Sequence, residues 1–310
     1  MQRVGFILIT DKNYLYYSLF VASSIKIKKP NSKKVLILVN CLDQKVHLSF
    51  IARELELTLV FVEEVATFSK FSQEMIRLDV SKKRHVTNTS YLKLLLIQHF
   101  ENQFDRIIYM DIDLLLMGNL DELCNMDLQG YPIGGIKDFR NRQLTRNRKN
   151  KKYFNAGLLV IDLSHTQIEY LGEALISQIQ ESKNFRYQDQ DILNNVFDCA
   201  WFEIPNDYNY QIAFRYPSRN LNLESLKVIH FIGPLKPWKV RLGRYHEIWE
   251  SKYMDFQLAH QSYIPMIHPK KTTVGLRILI AASTIPVSNI LPISIRIILA
   301  NFLTKKIWWR

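Results

Sequence analysis

With 310 residues and a hydrophobic fraction of 47%, the chain can build one large domain, or one domain with an appendage, around a substantial core. Its formal net charge of +12 points to polyanionic partners such as nucleic acid, anionic lipid or phosphorylated glycan. Three cysteines, Cys41, Cys124 and Cys199, lie far apart without metal-ligand spacing and read as reduced core thiols of a cytosol-like compartment.

The opening, MQRVGFILITDKNY, is not expected to be a signal peptide, because its apolar run is short and Asp11 follows at once. VGFILIT and KVLILVN are continuous apolar runs, the pattern of strands buried on both faces of a parallel sheet. YLYYSLFVASSIK between them has the length and spacing of a helix. LSFIAREL reads as the next helix and LTLVFVEE as the next strand. SYLKLLLIQHF is predicted helical and DRIIYMD a strand, so the first part alternates as an α/β domain does. A strand at PIGGIK, a strand FNAGLLVIDL, a helix around EYLGEALISQIQ, a helix from DQDILNNVF and a strand KVIHFI follow. No stretch of ~18 residues is unbroken enough to cross a bilayer.

Within DRIIYMDIDLLLM, Asp111 and Asp113 stand one residue apart in an apolar setting. At the carboxyl end of a buried strand, residues two apart point to the same side, so both carboxylates face one site while Ile112 packs the other way. The crevice beyond the carboxyl ends of strands is where open α/β sheets bind ligands. Two acids held together repel unless a cation compensates them, and a divalent metal bound through oxygen does so. A turn or a helix cap is the plainer reading of such a pair. Further along, Asn155 and Ala156 begin a strand. Asp189, Gln190 and Asp191 open a helix, where acids either cap it or form a polar wall around a sugar. In VIHFIGPLKPW, His230 is followed by Gly233, which permits close backbone approach, and by Lys236, which suits a phosphate.

The segments ITDKNY, YLK, YMDID, FNAG, QDQD and HFIGPLKPW, in that order, resemble glycosyltransferase family 8, which includes glycogenin and bacterial lipopolysaccharide α-galactosyl- and α-glucosyltransferases. The resemblance implies a GT-A fold of the Rossmann-like nucleotide-diphospho-sugar transferase type, a UDP-galactose or UDP-glucose donor and a divalent ion, typically Mn²⁺, with Mg²⁺ as the alternative. By position, Asp111, Asp113 and His230 match metal ligands. Asp11, Asn13 and Tyr14 match a uridine pocket, with backbone contacts from Ile9. Lys93 matches a basic position that is often arginine, keeping the charge but not the bidentate fork. Gly233 and Lys236 match a pyrophosphate loop. Asn155, Ala156, Asp189 and Gln190 match a sugar pocket, Ile112 joins the donor set, and Gln190, where family members place a group beneath the anomeric carbon, is with Asp189 and Asp191 the expected catalytic group. Asp138 lies where bacterial members contact the acceptor.

The expected reaction is transfer of a hexose to an acceptor hydroxyl with retention at the anomeric carbon. A nucleic-acid-binding protein accounts for the charge but not for the acid pair. A catalytically silent sugar-nucleotide binder and a self-glucosylating initiator of glycogenin type are the other readings. Residues 137–152 carry eight basic residues and one acid, and Arg140, Arg142, Arg146 and Arg148 there suit an acidic acceptor. After Asp255 there is no acid. The expected organisation is a catalytic domain over residues 1–262 and a membrane-associating segment over 263–310. That tail is helical, apolar and basic, with Lys305, Lys306, Arg310, Trp308 and Trp309 near its end. The enzyme is then expected to work peripherally on the cytoplasmic face of an inner membrane, on a glycan or glycolipid acceptor, in lipopolysaccharide or other surface-polysaccharide synthesis.

Overall fold

The structure, a computed structural model, describes residues 2–77, 88–146, 152–181, 189–212, 223–233, 236–239 and 244–267. The basic tail from residue 268 onward, Arg148 and the Tyr187–Gln188 pair lie outside the described residues.

In chain order the strands are β1 (Val4–Asp11), β2 (Lys33–Val39), β3 (Leu57–Phe61), β4 (Arg106–Met110), β5 (Leu114–Leu116), β6 (Ile133–Lys137), β7 (Phe154–Asp162), β8 (Phe202–Glu203), β9 (Tyr210–Ile212) and β10 (Val228–Phe231). The helices are α1 (Leu15–Lys28), α2 (Lys45–Leu55), α3 (Ala66–Arg77), α4 (Leu96–Phe100), α5 (Asp121–Asn125), α6 (Asn141–Leu144), α7 (Ile168–Glu181), α8 (Asp189–Val196) and α9 (Arg244–Ala259). The run expected as one helix before β4 is a 3-10 segment over Asn88–Leu95 that passes into α4.

A seven-stranded sheet has the order β3-β2-β1-β4-β7-β6-β8. The first four strands are parallel, as their continuous apolar runs require, and β7 enters antiparallel to both β4 and β6. Alternate residues define the two faces. Ile7, Ile9, Ile37, Val39, Ile107, Tyr109, Leu159 and Ile161 join one core with Phe68 of α3, Phe100 of α4, Leu175 of α7 and Leu193 of α8. Phe6, Leu8, Leu36, Leu38 and Ile108 are equally buried on the other side. Side chains of this size contribute about 1.5–3 kcal/mol each when fully buried, so this two-sided core fixes the sheet. A smaller sheet has the order β5-β10-β9.

The chain divides into two compact units, residues 1–210 with 224–229, and residues 211–223 with 230–310; the division passes through β10 itself. In the second unit α9 carries a column of rings. Trp249 stacks on Tyr253 with centroids 4.7 Å apart, Trp238 lies 5.9 Å from Trp249, and Phe231 meets the edge of His246.

Two features of the first unit prepare a site. The chain runs from β1 to β2 and β3 on one side and returns to β4 on the other, so the strand order reverses between β1 and β4, the point at whose carboxyl ends open α/β sheets bind ligands. The pairing of β6 with β7 also shifts register between Gly135 and Ile136, placing a bulge in β7 after Asn155. Such a bulge re-aims side chains and backbone amides.

Candidate active site

At the end of β1 the chain turns sharply. The Asn13 N–H donates to the Asp11 carboxylate at 2.8 Å and the Tyr14 N–H to the Asp11 carbonyl at 3.1 Å, after which α1 begins. Asp11 is buried, and Tyr14 is partly so. Burial, then the charges of Asp11 and Asp113, hold the Tyr14 phenol above its ordinary pKa.

Strand β4 ends at Met110, so Asp111 and Asp113 sit in a turn between β4 and β5. The two carboxylates therefore come together through this turn and not through the alternation of one unbroken strand. Ile112 between them is partly exposed. The Asp111 N–H donates to Gly157 O at 2.8 Å, which ties the turn to the bulge of β7. The Asp111 carboxylate accepts the Tyr109 hydroxyl at 2.5 Å and the Lys93 ammonium at 3.4 Å. Asp113 is 6% exposed. His230 is buried on β10, next to Ile229 and in the strand that lies beside β5. Asp111, Asp113 and His230 each present a ligand atom, and the three atoms lie within 4.8 Å of one another. Two carboxylate oxygens and an imidazole nitrogen form a donor set that fits a divalent ion.

Behind this trio, Lys93 is buried in the 3-10 segment. Its ammonium lies 2.8 Å from Asp189, 3.3 Å from Ala156 O and 4.6 Å from the centre of the Tyr109 ring. Burial alone would lower its pKa, but Asp111 and Asp189 outweigh burial and hold it well above the ordinary value. Burial lifts the Asp189 carboxyl above its usual range although Lys93 pulls it down.

The first turn of α8 spreads its polar residues over separate partners. Asp189 takes Lys93; Asp191 accepts the Tyr153 hydroxyl at 2.6 Å. Between them the buried Gln190 side chain accepts the Ala156 N–H at 3.1 Å and the Asn155 side-chain N–H at 3.2 Å. Its own amide N–H donates to Asp138 at 3.1 Å. Asn155 in turn accepts the Gly157 N–H at 3.1 Å and the Asn209 amide at 2.9 Å. The Asp138 side chain is fully buried and lies against Arg140 at 2.9 Å.

Residues 6–241 match the sequence model of glycosyl transferase family 8. The chain belongs to that family. Among curated relatives, the Escherichia coli lipopolysaccharide 1,2-glucosyltransferase is 28% identical over 48% of this chain and 48% of its own length. Glycosyltransferase GlyA of Streptococcus pneumoniae is 29% identical over 58% of this chain but only 27% of its own length. Glycogenin of Komagataella phaffii is 23% identical over 76% of this chain and 57% of its own length. The chain thus spans between about a quarter and three-fifths of the length of these relatives. The galactosyltransferase LgtC, solved with donor and acceptor sugar analogues, aligns over 82% of this chain and 95% of its own with a TM-score of 0.61 at 21% identity. At that identity the likeness is one of fold, and the fold is GT-A. Glycosyltransferase GlyE of Streptococcus pneumoniae agrees, with a TM-score of 0.58.

Within this family-8 chain the sequence-named residues fall in four places. Ile9, Asp11, Asn13 and Tyr14 occupy the end of β1 and its turn, and Asp111, Ile112 and Asp113 the turn after β4. Lys93, Asn155, Ala156, Asp189 and Gln190 form one group of polar contacts with Asp138 at its edge, while Asp191 beside them takes the Tyr153 hydroxyl. In the second unit, Gly233 adopts a left-handed φ of 79° after β10, and Lys236 donates to the Phe231 carbonyl at 2.9 Å. Sequence reasoning did not single out Tyr109, Tyr153 or Asn209. A buried phenol needs a hydroxyl partner, so the tyrosine two residues before Asp111 carried a legible signal. Asn209 carried none, because it is one polar residue in a polar loop. The three cysteines are free thiols, with Cys41 and Cys124 buried. Among the described residues no helix is long and apolar enough to cross a membrane.

Proposed function

We propose that this family-8 glycosyltransferase moves a hexose, galactose or glucose, from a UDP-sugar to a hydroxyl of a glycan or glycolipid, with retention at the anomeric carbon. The observation that carries the reading is the trio Asp111, Asp113 and His230, backed by a buried lysine that bridges Asp111 to the sugar-side carboxylate Asp189. A divalent ion held by the trio would supply positive charge where negative charge develops on the departing diphosphate.

The chain's own residues do the rest. Tyr14 stacks on the uracil, while Asp11 and Asn13 receive the nucleoside. Gly233 and Lys236 hold the diphosphate, and the lysine offsets leaving-group charge. Asn155, Ala156, Asp189 and Gln190 position the sugar. The amide of Gln190 is a poor nucleophile. The carboxylates on either side are engaged by Lys93 and by Tyr153. Both facts favour attack by the acceptor from the leaving-group face, with the donor phosphate taking the proton. The name of the lipopolysaccharide 1,2-glucosyltransferase relative supports a surface-glycan acceptor. The apolar, basic and aromatic composition of residues 263–310 supports peripheral attachment to an anionic cytoplasmic leaflet.

The test is direct. UDP release is followed from UDP-galactose and from UDP-glucose with Mn²⁺ present, beside melting curves with UDP, ADP and GDP. One of the two sugars should turn over, and UDP with Mn²⁺ should raise the melting temperature most, since a ligand bound only by the native state stabilises it by mass action. No UDP release from either sugar, with equal shifts from all three nucleotides, refutes the reading.

A further inference from the structure

The amide of Gln190 has two ends, and its surroundings decide which way it points. The Ala156 N–H is a donor and nothing else, and it meets the Gln190 oxygen at 3.1 Å. The Gly157 N–H likewise claims the Asn155 oxygen, so the Asn155 NH₂ is turned to the same Gln190 oxygen. The Gln190 NH₂ is left facing Asp138, whose ionised carboxylate can only accept. Two backbone amides and one carboxylate therefore hold both side-chain amides in one orientation.

Asp138 is itself committed. One oxygen accepts the Arg140 N–H at 2.8 Å and the Arg140 Nε–H at 3.0 Å. The other accepts Arg140 Nη2 at 2.9 Å and Gln190 Nε2 at 3.1 Å. These four bonds use the ~4 acceptor directions of a carboxylate, which leaves none for a sugar hydroxyl. The backbone holds the aspartate as firmly. It follows β6, its N–H donates to Tyr153 O, and its carbonyl accepts the Asn141 N–H that opens α6. Burial would raise the Asp138 pKa, but Arg140 and Gln190 together bring it below the ordinary value, so the acceptor form persists. Arg140 closes the chain of contacts from the partly exposed end, with its side chain 25% exposed.

We propose that Asp138 and Arg140 are positioning residues that lock the Gln190 amide, and through it the sugar-binding edge of β7, rather than contacts for the acceptor. The inference rests on the donor-site reading above. It locates control of the donor sugar in the turn that begins the basic segment, 52 positions before the glutamine it orients.

Two measurements test it. First, Asp138→Asn places an NH₂ against either Arg140 or Gln190. Donor hydrolysis in the absence of acceptor should fall by about 10- to 100-fold in kcat, the scale of a reacting group misplaced by about 1 Å, while UDP affinity with Mn²⁺ changes by less than about twofold. Arg140→Lys should retain more turnover than Arg140→Ala, because it keeps the charge and loses only the fork. Unchanged donor hydrolysis with a raised acceptor KM overturns the proposal and makes Asp138 an acceptor contact. Second, Gln190→Glu sets a carboxylate against Asp138 in a buried site, and adding Asp138→Asn restores a donor opposite it. The double variant should melt above Gln190→Glu alone. An equal or lower melting point overturns the proposal, and this arm decides the matter if Asp138→Asn alone does not fold. Failure of the wild-type chain to bind UDP with Mn²⁺ would sink the donor reading, while the melting order would still judge the lock.

Discussion

Replacing Lys93 by methionine tests whether the lysine is the electrostatic centre of the site. The variant keeps much of the aliphatic stem and removes the ammonium, which lies 2.8 Å from Asp189 and 3.4 Å from Asp111 in a side chain only 4% exposed. At an effective dielectric of about 20, each attraction is about 5–6 kcal/mol before any cost is counted. Desolvation of the buried ammonium, several kcal/mol, offsets part of that sum. The variant also leaves Asp111 and Asp189 facing each other without a counter-charge. A net loss of about 3–5 kcal/mol follows, the range measured when one partner of a buried pair is removed. In a chain of this size that lowers the melting point by roughly 5–8 °C. Urea unfolding at neutral pH, with the slope held equal between proteins, reads the difference. Lys93→Arg, which keeps the charge, should lose less. A Lys93→Met protein within about 0.5 kcal/mol of wild type, the range of an ordinary surface change, would mean that the lysine does not compensate these acids.

Asp113→Asn should abolish sugar transfer and calorimetric Mn²⁺ binding while the melting point stays near or above that of wild type, since removing one of two crowded acids relieves repulsion; retained turnover in metal-free buffer would refute the ligand assignment. Arg140→Gln should be less stable than wild type at pH 7, and the gap should close on acidification. Asp138 is depressed in the folded state, despite burial, largely by Arg140, so its contribution is present above the ordinary aspartate value of about 4 and is lost as pH falls through the lower folded value. Denaturant titrations from pH 7 to pH 3 check this, and a constant gap refutes it. Gly233→Ala should cost about 1 kcal/mol, because a Cβ there meets no atom within 4 Å yet the φ of 79° disfavours an L side chain; an unchanged melting point would show that this loop relaxes freely. Truncation after Pro269 should leave donor hydrolysis intact and abolish sedimentation with anionic vesicles at low salt; loss of hydrolysis would mean that the tail belongs to the catalytic core.

What the chain declares by itself is whatever a local pattern can encode. The runs VGFILIT, KVLILVN and RIIYM are apolar through their middles, with polar residues only at their ends, because parallel strands are covered on both faces, and all three lie in buried strands. The acid pair in an apolar setting pointed to a candidate metal site, and six short motifs in order announced the family. Elements of two or three residues, such as β8 and β9, carry no period to read. Helix α9 buries His246 and Gln257 among its aromatics, which blurs its apolar face.

The tertiary structure decided which polar group faces which. No periodicity tells that Lys93 lies between Asp111 and Asp189, or that the amide of Gln190 turns its nitrogen toward Asp138. Those pairings exist because β7 lies between β4 and β6, with a register shift against β6, and α8 starts beside it, an order set by the whole sheet. Burial is a property of one segment and leaves its mark on that segment's composition. The partner of a buried polar atom is a property of two distant segments at once, and it is settled only when folding removes water and forces each donor to find an acceptor.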